Sequence, residues 1–301
     1  MFGVQARELA AAFQRGLDWA ERHRWLSVPI LTGHRIGRHN VPTYAAAISF
    51  QVVISLVPLL AVVAAGASFF VDSATLAAQI LEVASFIAPQ SEALLGGMVQ
   101  SVTDLRGQVG VVSLLGLLWT GSNLFAALRR GLNAAVGARQ RRTYVQSRLV
   151  DLGVGATTGL LLAVSFALTA GLTVIHQAEI VGPDSPLATL GALLRALTVA
   201  VPLAMTSGIF ALLFGLLPAQ PLPRHAALLA GGLAALLFEI GKSLFVWYVA
   251  SFGTFNAVYG PLATVVVLLI WLYYSSLIVL GAAAFGTELA RAAGRPHAPP
   301  A

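Results

Sequence analysis

The feature that most constrains this chain is its last long apolar run, residues 259–290, YGPLATVVVLLIWLYYSSLIVLGAAAFGTELA. About 20 apolar residues in a helix cross the hydrocarbon core of a bilayer, and this run exceeds that length. Tyr259-Gly260-Pro261 suits a helix start, because proline is tolerated in the first turn. Charge returns only at Glu288 and Arg291. Trp271, Tyr273 and Tyr274 sit near the middle of the run, whereas aromatic residues of membrane helices gather at the interfaces. Phenol hydroxyls placed in hydrocarbon need hydrogen-bond partners. The helix is therefore expected to face protein or water on at least one side. Tyr274, Gly281 and Glu288 fall at i, i+7 and i+14. That face is expected to pack inward, with Gly281 admitting a neighbouring helix.

The same signal recurs along the chain. Of the 301 residues, 57% are hydrophobic and only 10% charged, and mean hydropathy is +0.82. Soluble domains carry nearer one quarter charged residues. The expected class is all-α and polytopic, with six transmembrane helices at about 44–71, 108–128, 149–175, 190–217, 226–250 and 259–288. A basic segment, 1–43, precedes this domain of residues 44–290, and a tail, 291–301, follows it. Leu9, Phe13, Leu17 and Ala20 recur at helical spacing, so the first segment reads as an amphipathic helix on the membrane surface or against the ends of the spans. The N-terminus has no uninterrupted apolar core of the kind a cleaved signal needs. Residues 72–107 form the longest polar connection and read as two short amphipathic helices broken at Pro89.

Basic residues set the expected topology. Six arginines lie in 1–43, six in the 129–148 loop and two in the tail, whereas the alternate loops hold Arg106 and six acids. The positive-inside rule places both termini in the cytoplasm and 72–107 outside. The net charge of +6 is read as topology rather than as a nucleic-acid surface. The expected partners are the lipid bilayer and an unidentified small solute or lipid, with no nucleic acid; a homo-oligomer is left open.

Candidate site residues come from polar groups inside the spans. In the first span Tyr44, Gln51, Ser55 and Pro58 share one face. Pro58 is expected to kink or break the helix. Gln51 and Ser55 could line a cavity, or could join helices by hydrogen bonds. In the fifth span Glu239 and Lys242 lie one turn apart, near mid-helix. Intramembrane charge is costly and points to function by default, here a proton or ion relay or a headgroup site. A self-neutralising structural pair is the alternative. Asp151, Arg195 and Glu288 lie near span ends, where snorkelling suffices. The third span carries Gly155-x-x-x-Gly159, a pattern that permits close helix approach.

Enzyme signatures are poor. Without cysteine there are no disulfides, thiolate metal sites or iron–sulfur clusters. The six histidines are scattered, and no HExxH, P-loop, GxGxxG or GxSxG occurs. No carboxylate cluster suits two divalent metals. The chain is expected to be non-enzymatic, with no catalytic residues, no metal site and no cofactor.

Several blocks then combine: Tyr44-Ala-Ala-Ala-Ile-Ser-Phe with Ser55-Leu-Val-Pro58; Trp119-Thr-Gly-Ser before Leu132-Asn133-Ala-Ala-Val-Gly137; Leu217-Pro218; Gly231-Gly232; Glu239-Ile-Gly-Lys242; Tyr259-Gly260-Pro-Leu-Ala; and Trp271-Leu-Tyr with Gly281 and Glu288. In order and spacing, over roughly residues 40–290, they resemble the YihY/BrkB family of bacterial inner-membrane proteins. The resemblance implies a six-helix, multi-pass protein of the cytoplasmic membrane. It implies little chemistry: some members carry the old label ribonuclease BN, which the missing acid cluster does not support. The leading expectation is transport or sensing of a small solute, ion or lipid through Gln51, Ser55, Glu239, Lys242, Tyr273 and Tyr274. The alternative is an envelope scaffold or assembly factor acting through 72–107. A membrane hydrolase or ribonuclease is the weakest reading.

Overall fold

A computed structural model describes residues 28–67, 106–138, 142–177, 188–251 and 261–294. The amphipathic stretch of 1–24 and nearly all of the 72–107 connection lie outside the described residues. Among the described residues the chain is helical, with seven helices and no strand. They are α1 (Val28–Arg38), α2 (Val41–Ala67), α3 (Arg106–Val136), α4 (Tyr144–Gln177), α5 (Ala188–Leu216), α6 (Arg224–Ser251) and α7 (Pro261–Ala292). Helices α2 to α7 coincide with the six apolar runs read from the sequence. Among the described residues three segments are long and apolar enough to cross a membrane: Tyr144–Ser165, Arg224–Tyr248 and Val266–Ala292. Val41–Leu56 and Ala200–Leu216 are shorter apolar segments. Helix α2 runs on through Pro58, as α5 does through Pro202, so of the kink or break expected at Pro58 the helix does not break.

The local reasons are visible. Asn40 takes a left-handed conformation (φ 50°) between α1 and α2, a geometry asparagine tolerates better than most residues. Pro42 then occupies the first turn of α2. Gly137 ends α3 at φ 73°, with its N–H donating to Ala134 O and the Ala138 N–H to Asn133 O. Thr143 and Gln146 cap α4 reciprocally. The Gln146 N–H donates to Thr143 Oγ1 (3.4 Å) and the Thr143 N–H to Gln146 Oε1 (3.2 Å).

The chain divides into two compact units. The first comprises Met1–Tyr44, Arg129–Ile240 and Leu277–Ala301; the second comprises Ala45–Leu128 and Gly241–Ser276. In the first, α4 packs along α5. Phe214, Leu132, Leu217 and Leu280 are among its fully buried side chains. Small residues set the closest approaches. A Cβ on Gly231 would lie 2.6 Å from Ser207 O and 2.8 Å from Ala211 N, so α6 meets the backbone of α5 there. A Cβ on Gly286 would lie 2.8 Å from Ala230 Cβ. Gly281, expected to admit a helix, is not such a point: its Cβ would meet Ile36 Cδ1 at an ordinary 3.7 Å. Gly159 of the GxxxG pattern has nothing within 4 Å among the described residues. Within the second unit, Gly116 of α3 faces Pro58 of α2 at a comparably ordinary 3.5 Å.

Candidate functional site

The described residues of the first unit include two buried ion-pair centres. Arg35 stands in the last turn of α1. Its Nε donates to Glu288 Oε1 of α7 at 2.5 Å, and its Nη1 donates to Ala135 O, in the last turn of α3, at 3.3 Å. Arg291 Nη1 reaches the same Glu288 oxygen at 3.3 Å. A Cβ on Gly137 would lie 3.0 Å from Arg35 Nη1 and 3.9 Å from His39 Cε1. Both the left-handed backbone and the crowding against Arg35 thus favour glycine at 137. Burial, then the cations Arg35, Arg38 and Arg291, hold His39 below the usual histidine range, with Glu288 opposing them. In the second centre Arg129 of α3 grips Asp151 of α4 with two parallel bonds. Nε donates to Oδ1 at 2.8 Å and Nη2 to Oδ2 at 3.2 Å, and Asp151 is fully buried. This fork geometry is where arginine exceeds lysine.

These centres correct the expectation that Asp151 and Glu288 snorkel from span ends. Both carboxylates point into protein and are neutralised there. The reason is the arginine excess, which supplies each acid with a partner inside the fold. Arg195 has its side chain outside the described residues. Two further contacts pin the turn after α5. Asn133 Oδ1 accepts the Ala219 N–H at 2.7 Å, and Arg142 donates to Leu217 O at 3.3 Å.

In the second unit Gln51 Nε2 donates to Thr120 O of α3 at 3.4 Å, and Ser55 Oγ donates back to Gln51 O at 2.9 Å. The Gln51 contact joins α2 to α3, whereas the Ser55 bond stays within α2. Trp271 packs against Phe245, with centroids 4.8 Å apart. Tyr273 and Tyr274 meet edge to face, with centroids 5.9 Å apart. Tyr273 is half-buried, but Tyr274 is 58% exposed. The predicted inward face of α7 therefore holds at Glu288 and fails at Tyr274. Consecutive residues diverge by about 100° around a helix, so only one of the two phenols can follow the buried side. Next to them, Ser275 Oγ is buried with no hydrogen-bond partner among the described residues. On α6, Glu239 is half-buried and Lys242 exposed. Among the described residues no group of three metal-ligating side chains could hold an ion.

Comparison with known proteins follows the same outline. A family model described as virulence factor BrkB matches residues 32–301. A "UPF0761 membrane protein" of Alkalilimnicola ehrlichii is 29% identical over 92% of this chain and 60% of its own length. Its namesake in Azotobacter vinelandii is 29% identical over 82% of this chain and 58% of its own length. One in Ralstonia nicotianae is 30% identical over 85% and 57% respectively. The chain thus spans about three fifths of the length of the curated relatives it matches. No solved structure matches it.

Proposed function

The chain belongs to the BrkB virulence factor family of membrane proteins, and from that premise we propose that it moves or senses a small solute, an ion or a lipid without covalent chemistry. The observation that carries this reading is Glu239 and Lys242 on α6. Both lie in Arg224–Tyr248, a 25-residue segment long and apolar enough to cross a bilayer. At 1.5 Å per residue, Glu239 stands about 13 Å and Lys242 about 9 Å from the nearer end. A helix that serves only to span has no use for charge at that depth, and its cost is supported by function in most membrane proteins that keep it. On α7, Tyr273, Tyr274 and a Ser275 hydroxyl without a partner among the described residues add polar groups about 10–13 Å from the start of Val266–Ala292. In this proposal α2 to α7 form six spans of an inner-membrane protein, with both termini cytoplasmic, a topology supported by the arginine distribution.

The test is the purified chain in proteoliposomes, read three ways: dissipation of a pH gradient, potassium flux, and transbilayer movement of a fluorescent phosphatidylglycerol. The expected result is that one rate exceeds that of empty vesicles and falls about tenfold or more in E239Q or K242M. Rates equal to empty vesicles in all three assays, or variants as active as the parent, would overturn the proposal.

A further inference from the structure

We propose that the first turn of α4, with the arginines beside it, is a docking surface for anionic phospholipid headgroups. The inference stands on the first unit alone and does not depend on the transport reading. Tyr144, Val145 and Leu149 are exposed at 74%, 66% and 65%, and Leu152 and Leu160 continue the exposure along the helix. At 100° per residue these five positions fall within one side of α4. They open Tyr144–Ser165, a segment of crossing length and hydropathy. An apolar face on such a helix is covered by hydrocarbon, so its first turn marks the level where hydrocarbon yields to headgroups. Tyrosine suits that level, with an apolar ring and a wet hydroxyl.

Cations lie within about two turns of this level. The Arg148 guanidinium carbon lies 5.6 Å above the Tyr144 ring centroid, and its Nε donates to the Tyr144 hydroxyl at 3.2 Å. The stacked phenol pre-orders a guanidinium one turn into the helix. Arg142, partly exposed, is anchored through Nη1 on Leu217 O, and Arg130 is exposed. No acid occurs from residue 105 to 150, and Asp151 is buried in its pair with Arg129. The reciprocal Thr143–Gln146 cap fixes the helix start, whose dipole adds partial positive charge. The surface is thus positive, partly pre-ordered and interleaved with exposed apolar groups. Nucleic acid or an acidic soluble protein would answer the charge but leave Tyr144, Val145 and Leu149 uncovered. A phosphodiester headgroup on two acyl chains answers both.

The experiment is native mass spectrometry of the purified full chain in detergent, titrated with phosphatidylglycerol or phosphatidylcholine. The expected result is a clear preference of the parent for phosphatidylglycerol. At roughly fivefold per arginine near an anionic surface, R130Q/R148Q should lose about twenty- to thirtyfold of that preference. R130K/R148K keeps the charge and should stay within about fivefold of the parent. Arg130 is exposed and Arg148 half-buried, and equal helix content by circular dichroism checks that the variants fold. The proposal is overturned if the parent binds both lipids alike, or if R130Q/R148Q keeps the parent's preference. It is equally overturned if the lysine variant loses as much as the glutamine one, which would mark a packing effect rather than a charged surface.

Discussion

Arg129→Met isolates the energetic role of the Arg129–Asp151 pair. The native pair is bidentate, with Nε–Oδ1 at 2.8 Å and Nη2–Oδ2 at 3.2 Å, around a carboxylate with no solvent exposure. Methionine keeps much of the volume of the arginine stem but leaves Asp151 buried as an uncompensated anion. Breaking a buried pair in this way costs about 3–5 kcal/mol. At roughly 2 °C per kcal/mol for a chain of this size, Tm should fall by about 6–10 °C. Asp151→Leu, which strands the guanidinium instead, should fall by a similar amount. The double variant R129M/D151L removes both charges and should recover most of the loss, because replacing a buried pair by apolar groups of similar volume is often neutral or better. The five tryptophans allow thermal unfolding to be followed by intrinsic fluorescence in detergent. If R129M lies within 2 °C of the parent, or the double variant falls as far as the two singles combined, the pair is not the buried, mutually compensating unit described above.

Two further outcomes follow from the same geometry. Gly231→Ala drives a Cβ into the Ser207 carbonyl and the Ala211 amide, and should cost about 1–3 kcal/mol, whereas Gly159→Ala, in open space within a helix, should be neutral or slightly stabilising; thermal unfolding of the two variants separates them. His39 is held below its unfolded value, so the unfolded chain binds more protons through that window: stability is full above about pH 6.5 and falls as pH drops toward the lowered folded value, and His39→Gln should flatten that part of a Tm-against-pH profile.

Much of the architecture could be read from the residues, and the reason is physical. Long apolar runs leave the backbone little alternative to helix, so the six runs appear as helices α2 to α7, three of which hold segments of crossing length among the described residues. The family blocks were equally legible, since they are local strings in fixed order. What could not be read were pairings. Arg35 and Glu288 are 253 residues apart, and nothing in either neighbourhood announces the other. Arg129 and Asp151 are closer in sequence, but arginine near a span end reports topology and partnership with the same letter. The glycine contacts failed for a related reason. Gly281 and Gly286 lie on one helix five residues apart, about 140° around its axis, and only the packed fold distinguishes ordinary contact with Ile36 from crowding against Ala230. Tyr274 misled because a heptad stripe was extended over the full helix, while the ends of α7 belong to different compact units.

The use of arginine is itself an argument about assembly in lipid. Seventeen of the eighteen basic residues are arginine. Apolar burial, which drives soluble helices together, gains little between helices already solvated by hydrocarbon, so directional contacts and small residues must select partners. In the first unit the described contacts do this. One guanidinium, Arg35, ties α1 to a carboxylate of α7 and to the carbonyl end of α3, and a second, Arg129, ties α3 to α4. Glycines at 231 and 286 bring α6 against α5 and α7. Lysine, a compact and strongly hydrated point charge, could meet one acceptor well but not the fork of Asp151, nor a carboxylate and a helix end at once. Arg35 and Arg129 are therefore placed where one guanidinium joins separate helices, a use of charge that small apolar residues cannot replace.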